Sequence, residues 1–159
     1  MPWSCRAETL DFVERAPHEF LTEADLPAPP ERVFEVFADV ASWPRWFDGM
    51  KASRWTSAQQ GGVGAVRRMT LDTITVDETI LAWDPGRHFA FRIDTATLPL
   101  IRAMVEDYRL ERRGDGTHLV WRASYEPTLL TRLLHPIVRF IFGRQFKRTA
   151  AQLRDFLKS

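Results

Sequence analysis

Arg67, Glu78, Glu106, Tyr108 and Tyr125 have the types and spacing to do polar chemistry in an apolar setting. Arg67 and Glu78 lie on two alternating runs either side of Asp72 and Thr73. A hairpin turning there sets Leu71 opposite Ile74, Met69 opposite Val76, Arg67 opposite Glu78 and Ala65 opposite Ile80. The apolar members select the inner face, because a one-residue slip would send them to opposite sides, and Arg67 and Glu78 travel with them. Opposite charges directly across two strands attract. Such an inward pair is either a structural ion pair or a polar spot that orients a ligand. Further on, Gly114, Asp115 and Gly116 predict a hairpin with a four-residue loop after Arg112. Its register pairs Arg112 with Thr117, Leu110 with Leu119, Tyr108 with Trp121, Glu106 with Ala123 and Met104 with Tyr125. The opposite face carries Asp107, Arg109, Glu111, His118 and Arg122, so the first set faces inward and Glu106 is a carboxyl among aromatic rings. There it needs a partner or a raised pKa, unless it is a rim residue wetted by solvent. These groups could polarise a carbonyl or move a proton.

Other chemistry is thin. His18, His88, His118 and His135 are far apart in sequence and show no metal-ligand spacing, and no cofactor is expected. Cys5, the single cysteine, excludes an internal disulfide and reads as an inert thiol near a loose end. No serine sits in a nucleophile-elbow setting. Gly61, Gly62 and Gly64 lack the following Lys-Ser/Thr of a phosphate loop and lead into a strand, which makes them a turn. A formal charge of +1 offers no basic excess for nucleic acid. Residues 1–16 are interrupted by charges and do not resemble a signal peptide, so a cytoplasmic location is expected. The apolar stretch 129–142 is too short and too charged to span a bilayer.

The elements that must position these groups follow from periodicity. His18 to Leu26 alternates as a half-buried strand, and Pro27, Pro29 and Pro30 end it. A short helix with Val33, Phe34 and Phe37 on one face runs to about Asp39. A second short helical piece carries Trp43 and Trp46, with Ser42 as cap and Pro44 in its first turn; these two Trp are expected to pin the short helices to the sheet. Residues 51–127 read as antiparallel strands divided by glycine turns, with Leu98, Pro99 and Leu100 in an apolar rim loop. After Pro127 the pattern is helical, bent or broken near Pro136 and Gly143, and apolar over most of its first part. That implies burial on more than one side, or contact with a partner or membrane surface. The whole is a single domain over 1–159, with 1–16 as an N-terminal extension of linker-like composition.

Particular residues in this order resemble a family. Pro29-Pro30-Glu31-Arg32-Val33-Phe34, Asp39, Trp43-Pro44-Arg45-Trp46-Phe47, Trp83-Asp84-Pro85-Gly86-Arg87-His88-Phe89 and Asp115-Gly116-Thr117-His118-Leu119-Val120-Trp121 are similar to the START-like (SRPBCC) superfamily of polyketide cyclase/dehydrase and lipid-transport proteins. The likeness covers roughly residues 18–158. It implies an α+β helix-grip fold: a curved antiparallel sheet wrapped around a long C-terminal helix, two short helices after the first strand, and a deep cavity.

Six Trp and eleven Phe are enough to line such a cavity as well as to fill a core. The expected function is binding or carriage of a small hydrophobic, lipid- or polyketide-like molecule. The alternatives are a cyclase/dehydratase-like enzyme and an interaction module docking through 129–142. Expected ligand-binding residues are Trp46, Arg67, Met69, Glu78, Phe89, Phe91, Met104, Glu106, Tyr108, Trp121 and Tyr125. Arg139, Arg144, Lys147 and Arg148 give the last helix a basic side suited to weak contact with an acidic membrane surface.

Overall fold

A computed structural model describes residues 2–158. Eight strands form one antiparallel sheet. They are β1 (Trp3–Ser4), β2 (His18–Leu26), β3 (Met50–Trp55), β4 (Val66–Leu71), β5 (Thr75–Asp84), β6 (His88–Ala96), β7 (Ile101–Arg113) and β8 (Gly116–Pro127). The order is β2-β8-β7-β6-β5-β4-β3, with β1 added beside β6. Both expected registers are present, Arg67 with Glu78 and Tyr108 with Trp121 among them. The β7–β8 turn is tighter than the four-residue loop expected. Arg113 also pairs with Gly116, leaving two residues, with Gly114 at φ 58° in the left-handed region that glycine adopts without strain.

Bulges curve the sheet. One extra residue, Asp94, between the pairs Asp77–Thr95 and Glu78–Ile93 brings both Ile93 and Ala96 to the concave side. The convex side is charged and mutually paired: Arg68 with Asp77, Arg92 with Asp94, and His88 and Arg109 with Asp107.

Helix α1 (Phe12–Arg15) buries Phe12 and Val13 against Ala103 and Val105 on that convex side. The segment that ends at Ala16 is therefore tied to the sheet and is not the loose extension its composition suggests, because Phe12 and Val13 cover the convex face. Cys5 donates to the Ile101 carbonyl, and burial followed by the nearby Asp94 charge pushes its thiol pKa up to about 11.

Helix α2 (Pro30–Ala38) starts with proline in its first turn and buries Val33, Phe34, Val36 and Phe37. A 3-10 helix (Val40–Arg45) follows. Its cap is Asp39, whose carboxylate accepts from the Ala41 N–H, and not Ser42. Ser42 donates to the carbonyls of Val36 and Asp39, tying the two helices together.

At the C-terminus, α3 (Leu129–Leu133) is capped by Thr128, and α4 (His135–Lys158) runs on through Gly143. Pro136 lies in the first turn of α4, where its missing N–H costs nothing, so the break falls at Leu134 instead of within the helix. Burial of the apolar stretch 129–142 on several sides is corrected by the structure: Leu129, Leu130, Leu133, Leu134, Ile137, Phe140 and Ile141 are all exposed. Among the described residues nothing packs over the outer side of α3 or of the first turns of α4. Among the described residues no helix is long and apolar enough to cross a membrane.

Candidate functional site

The concave face, α4 and the rim loop enclose a cavity of ≈ 120 Å³, or ≈ 880 Å³ of atom-free space when its open mouth is included. The smaller figure is the one to set beside the roughly 150 Å³ of an apolar cavity that accepts benzene, so the cavity takes a ring-sized group. Buried Trp43, Phe47, Val76, Phe91, Ile93 and Phe146 form its inner walls. Half-buried Leu71, Ile74, Leu100, Ile101, Met104, Val138, Phe142 and Gln145 form the rim.

Two carboxyls reach this apolar space, Glu78 from β5 and Glu106 from β7. Glu78 Oε1 accepts from Arg67 Nε at 2.8 Å. Arg67 is fully buried, and its two terminal nitrogens have no hydrogen-bond partner. Three ring faces surround the guanidinium instead, with centroids at 4.2 Å (Trp43), 4.8 Å (Phe91) and 5.3 Å (Phe89). Glu106 Oε1 accepts from Tyr108 Oη at 2.8 Å and Trp121 Nε1 at 2.9 Å. The second oxygen of each carboxyl makes no hydrogen bond among the described residues. One guanidinium and two carboxyls balance only if one proton is retained. Burial pushes the Glu78 pKa up to about 8 against the pull of Arg67, and it also raises that of Glu106. Burial and the neighbouring Glu106 carry the Tyr108 phenol well above its ordinary value. A carboxyl held neutral in this way can donate a hydrogen bond at neutral pH.

A second polar cluster closes the other end. Tyr125, which also lines the cavity, hydrogen-bonds His135 Nε2 at 2.8 Å and accepts from Arg139 Nη1 at 3.0 Å. His18 packs against His135 with ring centroids 4.4 Å apart, and burial followed by the His135 charge lowers its pKa. Sequence spacing gave no sign of this meeting, since β2 and the start of α4 become neighbours only through β8.

Of the expected ligand-binding residues, Glu78, Phe91, Met104, Glu106 and Tyr125 line the cavity. Trp46, Arg67, Met69, Phe89, Tyr108 and Trp121 do not; they lie in the packed core behind it. The reason is the short-helix plug. Phe37 packs on Phe89 and Tyr108 at 5.7 and 5.1 Å, and Phe47 on Trp121 at 5.9 Å, filling that end of the grip. Trp43 both pins the helices, donating Nε1–H to the Phe37 carbonyl, and faces the cavity. Phe20, Phe47, Val138, Phe142 and Phe146 are lining residues without a sequence signal of their own, because an apolar side chain against a void reads like one in a core.

The family model for polyketide cyclase/dehydrase and lipid transport matches residues 17–157, and the chain belongs to that family. An uncharacterized protein of Mycobacterium tuberculosis is 35% identical over 120 residues, 75% of this chain and 72% of that protein. Among solved structures, a START superfamily protein from Mycobacterium smegmatis matches with a TM-score of 0.76 at 14% identity, over 89% of this chain and 97% of that one. The Zhui aromatase/cyclase from a Streptomyces species matches with a TM-score of 0.74 at 19% identity, over 89% and 93%. Both share the helix-grip architecture. Family and fold together make this a START/polyketide cyclase-like ligand-binding domain.

Proposed function

We propose that this member of the polyketide cyclase/dehydrase and lipid-transport family binds or carries a small hydrophobic molecule whose polar group is neutral. The observation that carries this reading is an apolar cavity whose deep polar groups are two carboxyls, Glu78 and Glu106, sharing a single buried cation. With one carboxyl protonated and the other offset by Arg67, a carboxylate-headed ligand would bring a second negative charge to a site that holds one cation. A carbonyl can instead accept from the protonated carboxyl, and a hydroxyl can donate to a free carboxyl oxygen. The ring-sized inner space suits a compact head, and a longer tail would leave through the rim.

An apolar fluorescent probe that quenches tryptophan emission tests the cavity. Val138→Trp, on the α4 wall, should weaken binding at least tenfold, while Ile141→Trp on the outer side should not. Equal affinity in both folded variants would exclude this cavity as the binding site. Long-chain alcohols or ketones should compete better than fatty acids of equal length. The reverse order would overturn the neutral-head assignment.

A cyclase or dehydratase-like activity is the second reading, favoured by the Glu78 carboxyl that keeps its proton near neutral pH opposite a second carboxyl. Glu78 would protonate a carbonyl or leaving hydroxyl, with Glu106 as its partner. Glu78→Gln should then abolish turnover of a β-ketone substrate while leaving probe affinity within about threefold. A wild-type protein that returns such substrates unchanged rejects this reading and leaves the binding reading intact.

A further inference from the structure

Between Glu126 and Asp155 the chain has no acidic residue, yet it carries Arg132, Arg139, Arg144, Lys147, Arg148 and Arg154. The overall formal charge is only +1, so the basic character is concentrated in α3 and α4. Helical spacing then sorts these turns. Val138, Phe142 and Phe146 face inward at the cavity, which leaves Ile137, Phe140 and Ile141 on the outer side. Continued by one and two turns, that outer side carries Arg144 and Arg148. Ahead of it, α3 turns Thr131 inward, its hydroxyl donating to the Leu100 carbonyl at 2.6 Å, and leaves Leu129, Leu130 and Leu133 outside. The six outer apolar side chains are between 53% and 74% exposed. A contiguous apolar patch of this kind marks an interaction surface.

Charge selects the occupant. Arg132, Arg144, Lys147 and Arg148 have no carboxylate partner among the described residues, whereas Arg67, Arg68, Arg109, Arg112 and Arg122 are all ion-paired. A two-fold contact of these turns with a second copy would set Arg144 and Arg148 against their own counterparts, with no acidic residue between Glu126 and Asp155 to answer them. Exposed apolar side chains with unpaired basic ones on the same helices match the interface of an anionic bilayer, where the rings and leucines enter the acyl boundary and the cations stay at the headgroups. We propose that α3 and the first turns of α4 dock this domain on an anionic lipid membrane. The cavity rim residues Val138 and Phe142 share the docked turns, so the mouth lies beside the bilayer surface.

Flotation with phosphatidylcholine vesicles, with and without phosphatidylglycerol, tests the proposal. The full chain should float with the anionic vesicles, and less so as salt is raised. Arg144→Gln and Arg148→Gln should each weaken this partition about fivefold. Leu133→Ser with Phe140→Ser should abolish it while leaving the melting temperature close to wild type, because both side chains are already exposed. Failure to float with anionic vesicles overturns the proposal, as does floating that the serine variant leaves unchanged. A dimer, or a complex with an acidic protein, that the serine variant dissolves in the absence of any vesicle binding would also overturn it and assign the face to that partner.

Discussion

Arg67 and Glu78 face each other across β4 and β5, Nε to Oε1 at 2.8 Å, with the guanidinium wholly out of solvent and boxed by Trp43, Phe89 and Phe91. Above about pH 8, where Glu78 is ionised, removing one member of such a pair leaves the other charge uncompensated and typically costs about 3–5 kcal/mol. Arg67→Met and Glu78→Met should each do so in denaturant melts, and the double variant should lose clearly less than their sum. Strict additivity would show that the two groups are not coupled.

The same pair makes stability pH-dependent. The ordinary carboxyl value is 4.5, and the buried Glu78 titrates near 8. Between these values the folded chain keeps a proton that the unfolded chain has released, so folding is progressively disfavoured as pH rises. The contribution is complete below about 4.5 and lost once pH passes about 8, a change of about 1.4 kcal/mol per pH unit within the window. The difference in stability between wild type and Glu78→Gln should follow this slope. A difference constant from pH 5 to 8 would mean that Glu78 is already ionised in the folded chain.

Trp43 joins three parts of the structure. It is buried, donates to the Phe37 carbonyl at 2.9 Å, packs at a tilt against Trp46 and covers Arg67. Trp43→Ala should therefore cost about 3–5 kcal/mol. A loss below about 1 kcal/mol would show that the short helices do not depend on it.

The strand pattern was the legible part of this fold. Alternation fixes which side chains of β4, β5, β7 and β8 point inward, because a slip in register would expose Met69, Val76, Tyr108 and Trp121 together. Alternation cannot say what an inward side chain meets. Phe91 meets open space and Phe89 meets Phe37, although the two are neighbours on one strand face. That difference is decided by α2 and the 3-10 helix, whose placement is a long-range packing outcome. Helical periodicity is equally silent for 129–142: a helix apolar on both sides reads the same whether its outer side is covered or bare. Phe12 and Val13 are too few to announce a docked segment, and only the exposed patch over Ala103 and Val105 gives them a place.

Glu106 offers the sharpest contrast between shape and chemistry. Its Oε1 alone accepts from both Tyr108 and Trp121, at 2.8 and 2.9 Å, and burial favours its neutral form. Gln keeps an acceptor oxygen at the same position and carries no charge to desolvate. Glu106→Gln should therefore cost less than about 1 kcal/mol, or even stabilise the fold above neutral pH. Leu has a similar size but no acceptor, so it strands a phenol and an indole N–H in a space closed to water. With about 1–3 kcal/mol for each unsatisfied donor, Glu106→Leu should cost several kcal/mol. Adding Tyr108→Phe to Glu106→Leu removes one of those donors and should recover part of the loss, measurable as a negative interaction energy in the cycle. Equal stabilities for the Gln and Leu variants would show that the two rings find other partners when the carboxyl is gone, and that Glu106 is held for the ligand alone.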